Sequence, residues 1–152
     1  MKILADPGVK QEIIGRLRSV GSQDDRHWGR MTCNQMLCHL KDSFKGVMGE
    51  KPLGCKTNII SRTLIKWVAL KAPITWPHGV KTMPEMDQAI GGTPPAGFER
   101  DLPNLEVLID RVTSSNRDFQ WTQHPNFGPL SEWEWQRWAF LHVDHHLRQF
   151  GA

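Results

Sequence analysis

Apolar residues recur every three or four positions over four long stretches of this chain, which is the spacing of amphipathic helices. The first stretch predicts a helix over residues 7–20, because Asp6 and Pro7 suit a helix start and Gly21 suits its end. Its apolar positions are Val9, Ile13, Leu17 and Val20. The alternation of period two that marks a half-buried strand does not compete with this spacing anywhere.

A second helix is predicted over residues 32–48. Thr32 and Gln35 have the spacing of a capping box, and Gly49 follows the last turn. The apolar stripe of this helix consists of Met36, Leu37, Leu40, Phe44, Val47 and Met48. On an ideal wheel His39 lies about 120° from the centre of that stripe, so we expect its ring at the edge of the buried face.

The connection formed by residues 49–101 is rich in proline and glycine. Within it, residues 58–70 have apolar positions compatible with a further short helix. A connection of this length in a small domain is usually functional. We therefore expect it to pack over the mouth of the helical domain and to contribute walls to a pocket.

The third long helix is predicted over residues 102–119, with Asp101 as its cap and Pro103 in its first turn. The fourth is predicted over residues 131–150, where Ser131 and Glu134 form a second capping box. Four such apolar stripes are most simply buried by packing against one another. The chain is thus expected to be all-α, a four-helix bundle forming one domain over residues 1–152.

Two histidines lie in the middle of the apolar stripe of the fourth helix. The stripe contains Trp135, Trp138, Ala139, His142, His146 and Phe150. Because His142 and His146 are four residues apart, their rings project from the same side of the helix, one turn from each other. A neutral imidazole pair at this spacing can direct two nitrogens to one point, so the pair predicts a metal site.

The sequence indicates the third ligand of this metal site less clearly. His39 is the first candidate, because a bundle brings the second and fourth helices within reach, and His124 on the preceding loop is its competitor. His145, next to His146, is a candidate for the pocket, as is His124. The Glu-x-x-His pairs of di-metal bundles and the cysteine spacing of structural zinc sites are both absent from the sequence. Three histidines with an open position remain, which is a ligand set of catalytic metals.

Composition and charge narrow the classes of partner. The chain has seven Trp and seven His, no Tyr, and a net charge of +3 with scattered basic residues. A nucleic-acid-binding protein would show a concentrated basic patch, so this charge weighs against nucleic acid. The odd set Cys33, Cys38 and Cys55 forms no CxxC motif, which argues against a disulfide framework.

The start of the chain does not have the form of a targeting segment. Asp6, Pro7 and Gly8 interrupt the apolar run of MKIL, whereas a secretory signal has an apolar core of about 7–15 residues. No stretch approaches the ~18 apolar residues of a membrane span. We therefore expect a cytoplasmic location and no membrane partner.

Several motifs together resemble the DinB-like superfamily of metal-binding four-helix bundles, in a branch classed as a domain of unknown function. The resemblance covers most of the chain. Its motifs are Trp28-Gly29, the run Gln35 to Leu40 with Asp42-Ser43-Phe44, the run His124 to Gly128, Trp133, and the run His142 to Phe150. The last of these is the most specific.

The resemblance implies an up-down-down-up bundle, often a homodimer, with a long crossover between helices two and three. It also implies that His39, His142 and His146 hold one divalent metal, Zn²⁺, Ni²⁺ or Fe²⁺, since imidazole suits all three ions. Characterised relatives include thiol-dependent S-transferases and isomerases, some others are described as hydrolases, and others again have no known activity. The expected function is therefore a metal-dependent enzyme of the hydrolase or S-transferase type, acting on a small molecule, with a low-molecular-weight thiol as a second cofactor in the transferase case. The alternative is a non-catalytic binding protein whose metal is structural or adventitious.

Overall fold

The computed structural model of the chain describes residues 1–54 and 57–152, and within these ranges the protein is helical without a strand. Five α-helices follow in chain order: α1 (Pro7–Ser19), α2 (Cys33–Val47), α3 (Lys66–Lys71), α4 (Phe98–Thr113) and α5 (Glu132–Gln149). A π-helical segment (Ser61–Ile65) leads directly into α3, and a 3₁₀ turn (Pro84–Met86) precedes α4. Helix α2 packs on α4 and α5, and α1 packs on the same two helices.

Local capping interactions fix where α2 and α5 begin. The Thr32 hydroxyl accepts a hydrogen bond from the Gln35 backbone N–H, and the Gln35 side chain accepts one from the Thr32 N–H. Ser131 and Glu134 exchange the same two bonds at the start of α5. Both predicted capping boxes are thereby confirmed. Asp6 occupies the N-cap position of α1, but its side chain forms no capping bond.

The prediction for α4 is wrong at both ends. The helix begins at Phe98 and ends at Thr113, whereas the sequence pattern predicted 102–119. Asp101 is not the cap, because it lies inside the helix with its side chain fully buried and paired with Lys41 of α2. Pro103 therefore also lies inside the helix and not in its first turn. A tertiary ion pair, which no local pattern records, extends the helix towards its N-terminus.

Buried polar groups of α2 hold the crossover between α2 and α4 in place. The Asp42 carboxylate accepts hydrogen bonds from the Thr93 backbone N–H at 2.7 Å and the Thr93 hydroxyl at 2.6 Å, and it pairs with Lys51 at 2.8 Å. Asp101 accepts a bond from the Ala96 N–H at 2.8 Å. The crossover is thus attached to α2 at several points. Cys55, included in the expectation about disulfides, lies outside the described residues.

The core is centred on the aromatic residues at the start of α5. Trp135 is fully buried and stacks on Trp121 with ring centroids 5.0 Å apart, and Trp138 meets Phe44 of α2 edge to face. Both residues belong to the apolar stripe predicted for the fourth helix, and both are buried. Within residues 1–54 and 57–152, no helix is both long and apolar enough to cross a membrane.

Replacement of Asp101 tests the buried ion pair. We expect Asp101→Ala to lower the free energy of unfolding by about 3–5 kcal/mol, because it leaves the Lys41 ammonium buried without a counter-charge. Asp110→Ala on the same helix removes the exposed pair with Lys10 and should cost no more than about 1 kcal/mol. Urea unfolding of both variants is the measurement, and equal losses would contradict this account.

Candidate metal centre

Three histidine rings converge between α2 and α5. One ring nitrogen from each of His39, His142 and His146 lies within 4.8 Å of the other two. The Nε2 atoms of His39 and His142 are 3.0 Å apart, and the ring centroid of His39 is 4.7 Å from that of His146. His39 and His146 are only 5% and 8% exposed, while His142 is half-buried. The expectation that His39 lies at the edge of the buried face is wrong, because the crossover covers it.

The crossover fixes the ring of His39. Its Nδ1 lies 3.0 Å from the carbonyl oxygen of Met86, in the 3₁₀ turn. A carbonyl can only accept, so Nδ1 carries the hydrogen and Nε2 keeps its lone pair towards the other two rings. Asp42 holds the segment that follows this turn through Gln88 and Thr93. The tautomer of His39 thus depends on the docking of the crossover.

The ring of His146 is fixed in the same way by Gln149. The Gln149 amide nitrogen donates to the Trp28 carbonyl at 2.7 Å, which leaves its Oε1 facing Nδ1 of His146 at 3.0 Å. Nδ1 of His146 therefore carries the hydrogen. Gly29 has a positive φ of 79°, and a Cβ there would lie only 2.5 Å from the Gln149 amide nitrogen. Glycine is required at this position for the amide to reach the Trp28 carbonyl.

His142 completes the group and forms its exposed side. Its ring lies between Trp138 and Trp76, with centroid distances of 5.0 and 6.1 Å. Its Nδ1 is buried and has no hydrogen-bond partner among the described residues. His142 is therefore oriented by ring packing, while the other two rings are oriented by hydrogen bonds.

Burial keeps the three rings neutral. It lowers the pKa of His39 below the ordinary value, and the hydrogen bond to Met86 only partly offsets the effect. The pKa values of His142 and His146 lie well below the ordinary value, first because of burial and then because of the neighbouring imidazoles. A neutral imidazole offers a lone pair, so all three rings are in the form that binds a metal near pH 7.

The ligand set fits a single transition-metal ion. Zinc–imidazole bonds of about 2.0–2.1 Å place tetrahedral ligand nitrogens about 3.4 Å apart. The distances between the three nitrogens run from 3.0 Å to no more than 4.8 Å. Small ring rotations would therefore be enough to enclose an ion, while the Nδ1–H bonds of His39 and His146 supply the outer contacts typical of metal-ligating histidines.

His124 lies outside this group and organises its own loop. Its Nδ1 accepts the backbone N–H groups of Asn126 and Phe127, both at 3.1 Å, and its ring stacks on Phe127. Its ring packs on Trp138 at a centroid distance of 5.4 Å, and Trp138 in turn packs on His142. Of the two candidates for a third ligand, the structure brings His39 to the other histidines and leaves His124 apart.

His145 belongs to an aromatic rim beside the three histidines. We use this name for Trp28, Trp76, His78 and His145. Trp28 and His78 stack with centroids 3.9 Å apart, and His145 lies about 6 Å from the rings of Trp28, Trp76 and His78. Burial, followed by the charges of Arg148 and His78, lowers the pKa of His145 to about 4. The rim thus offers flat, largely uncharged surface next to the half-buried His142.

Two surface cavities lie away from the three histidines. One of about 520 Å³ lies between the π-helical segment and the loop at Phe127, and one of about 410 Å³ lies along α1. Neither is lined by any of the three histidines, because Met86 covers His39 and Trp76 lies against His142. Metal ligation depends on donor atoms and not on cavity volume, so the three converging rings define the candidate centre.

Two groups that orient the ligands were not predicted as site residues. Gln149 stands three positions after His146, a spacing at which side chains on a helix meet, so helical spacing could have identified it. The Met86 contribution is a backbone carbonyl, for which residue type gives no signal.

Metal affinity should separate ligands from orienting and distant residues. We expect His39→Ala to abolish tight binding of Zn²⁺ or Ni²⁺, and Gln149→Leu to weaken it by about 10–100-fold, the usual effect of losing an outer contact. His124→Gln should leave the affinity close to that of the wild type, because Nδ1 of His124 bonds only to its own loop. Competition titration with a chelating dye measures all three, and a greater loss in His124→Gln than in His39→Ala would reverse the assignment.

Acid should destabilise the protein through His124, whose pKa burial lowers to about 3. Between the ordinary histidine pKa of about 6.5 and this value the unfolded chain binds a proton that the folded chain does not. Stability therefore falls as pH falls through this window, by up to about 1.4 kcal/mol per pH unit for this ring. Urea unfolding of metal-free protein should show a shallower pH dependence in His124→Gln but not in the exposed-loop control His78→Gln. Parallel curves for wild type and His124→Gln would contradict the prediction.

Comparison with known proteins identifies the family of the chain. A model of a protein family of unknown function, DUF1569, matches residues 6–152. Neither the curated proteins nor the solved structures gave a match. Because the family match spans nearly the whole sequence, the chain belongs to the DUF1569 family.

Proposed function

We propose that this protein is a metal-dependent enzyme in which His39, His142 and His146 hold one divalent ion, Zn²⁺, Ni²⁺ or Fe²⁺. One observation carries the proposal. Three neutral imidazoles from two helices converge within 4.8 Å, and two of them have their outer nitrogens held by dedicated acceptors. The same two acceptors leave the Nε2 lone pairs of His39 and His146 free to face a shared ion, which is the ring orientation that metal ligation requires.

The reaction class follows from the donor set and the surroundings. A divalent ion on three imidazoles supplies Lewis-acid chemistry, which serves hydrolysis or the transfer of a thiol sulfur. The protein's own Cys38 is unsuited to act as the thiol, because burial raises its pKa to about 11. The same holds for Cys33, so in the transferase case we propose a separate low-molecular-weight thiol. The aromatic rim, with His145, lies where a small-molecule substrate would approach His142.

The proposed architecture is a DinB-like four-helix bundle of the up-down-down-up type, built from α1, α2, α4 and α5, with α3 in the crossover. The packing of α2 and α1 on both α4 and α5 supports this arrangement. A cytoplasmic homodimer is the assembly that we propose with it.

A second candidate is a protein that holds the same ion only for stability. The burial of His39 and His146 favours this reading, as does the position of the two surface cavities away from them. It predicts bound metal without turnover, and a large loss of thermal stability when the ion is removed.

Elemental analysis of tag-free protein tests the proposal. We expect about one divalent ion per chain, and none in His142→Ala or His146→Ala, while circular dichroism shows that both variants remain helical. His78→Gln, outside the three-histidine group, should keep the ion. Unchanged metal content in both alanine variants would refute the site.

A panel of hydrolase substrates and of thiol acceptors then separates the two candidates. Turnover that is lost with the metal and restored by adding it supports the enzyme. Metal without turnover on any substrate, together with a melting temperature that falls on chelation, supports the structural role.

A further inference from the structure

Large apolar side chains are exposed mainly along one part of the crossover. Of the ten exposed large hydrophobic residues of the described chain, seven lie between Ile59 and Val80. Ile59 is 79% exposed, Leu64 62% and Trp67 56%. We name the 59–74 face by its members: Ile59, Ile60, Leu64, Ile65, Trp67 and Ile74. All of these residues except Ile74 lie on the helical segment that ends at Lys71. Single exposed apolar residues are normal, whereas several on one short helical segment indicate a binding surface.

The helix that carries this face is firmly attached on its other side. Leu70 is fully buried, and its carbonyl accepts a hydrogen bond from Arg137 of α5 at 3.1 Å. Lys66 pairs with Glu134 at 3.3 Å. The π turn, in which the Lys66 N–H bonds to the Ser61 carbonyl, continues directly into α3. The apolar side chains are therefore displayed by an anchored helix and not by a loose segment.

The charged residues of this part of the sequence are of one sign. Residues 51–83 contain no Asp or Glu, and their basic residues are Lys51, Lys56, Arg62, Lys66, Lys71 and Lys81. Lys51 and Lys66 are paired with carboxylates of other segments. Arg62, Lys71 and Lys81 make no ion pair within the described residues. Arg62 and Lys71 thus lie on the same helical segment as the apolar residues without an ionic partner in the described part of the chain, and Lys71 also lies 5.9 Å from the centroid of the Trp133 ring.

Exposed apolar side chains next to unpaired cations suit some kinds of binding partner better than others. A second copy of the chain on a two-fold axis would bring the cations of both copies together, which opposes association. The phosphates of a nucleic acid would pair with the cations, but the isoleucines and Leu64 would stay exposed to water. An anionic lipid surface accommodates both features, because apolar side chains and Trp enter the acyl boundary while Lys and Arg meet the head groups.

We propose that the 59–74 face docks onto an anionic membrane surface. Arg62 and Lys66 also line the cavity of about 520 Å³ beside Ile59, where a head-group phosphate can be received. The expectation of no membrane partner rested on the lack of a spanning segment, and a helix that lies in the interface needs none. The proposal does not depend on the three-histidine site.

Co-sedimentation of the full chain with vesicles tests the proposal. The wild type should bind vesicles of phosphatidylcholine mixed with phosphatidylserine at low salt, be largely released at high salt, and not bind phosphatidylcholine alone. Leu64→Ser with Trp67→Ser should lower partitioning by at least about tenfold through lost apolar burial. Arg62→Gln and Lys71→Gln should each lower it about fivefold at low salt.

Matched controls lie on α4. Val107→Ser removes an apolar residue that is 57% exposed, and Arg100→Gln removes an exposed cation, so neither should change vesicle binding. Equal losses in these controls, or no binding to the anionic vesicles, would overturn the proposal. Self-association in light scattering that Leu64→Ser with Trp67→Ser abolishes, without vesicle binding, would overturn it in favour of a contact between copies.

Discussion

The candidate centre depends on one constraint, namely which nitrogen of a buried imidazole carries its hydrogen. A neutral ring in a dry environment needs an acceptor for its N–H, and that acceptor decides where the lone pair points. The Met86 carbonyl does this for His39, and Gln149 does it for His146. Helices α2 and α5 bring the rings together, but these two acceptors make them converge as ligands.

The same constraint explains why irregular segments matter so much in a helical protein. The Met86 carbonyl, in the 3₁₀ turn, accepts the N–H of His39 on α2. The Trp28 carbonyl, in the loop before α2, accepts the amide of Gln149 on α5, which orients His146. Asp42 attaches the crossover by three hydrogen bonds and one ion pair. The crossover is therefore part of the site, and its proline-rich sequence limits the conformations it loses on docking.

The sequence predicted those features that local interactions determine. Capping boxes act over three residues, so the sequence predicted where α2 and α5 begin. The helical period likewise predicted that His142 and His146 project from the same side of α5. The start of α4 did not follow, because the buried pair of Lys41 and Asp101 places Asp101 inside the helix and not at its cap. The burial of His39 was missed for a related reason: a helical wheel records one helix and not the segment that covers it.

The contacts that define the centre join distant parts of the chain. His39 and His142 are 103 residues apart, and Trp28 and Gln149 are 121 apart. During synthesis the N-terminal part emerges first. His39 of α2 therefore cannot meet His142 and His146 until α5 has left the ribosome. The centre is thus among the last features that a newly made molecule can acquire, and a metal held there would report that the whole chain has folded.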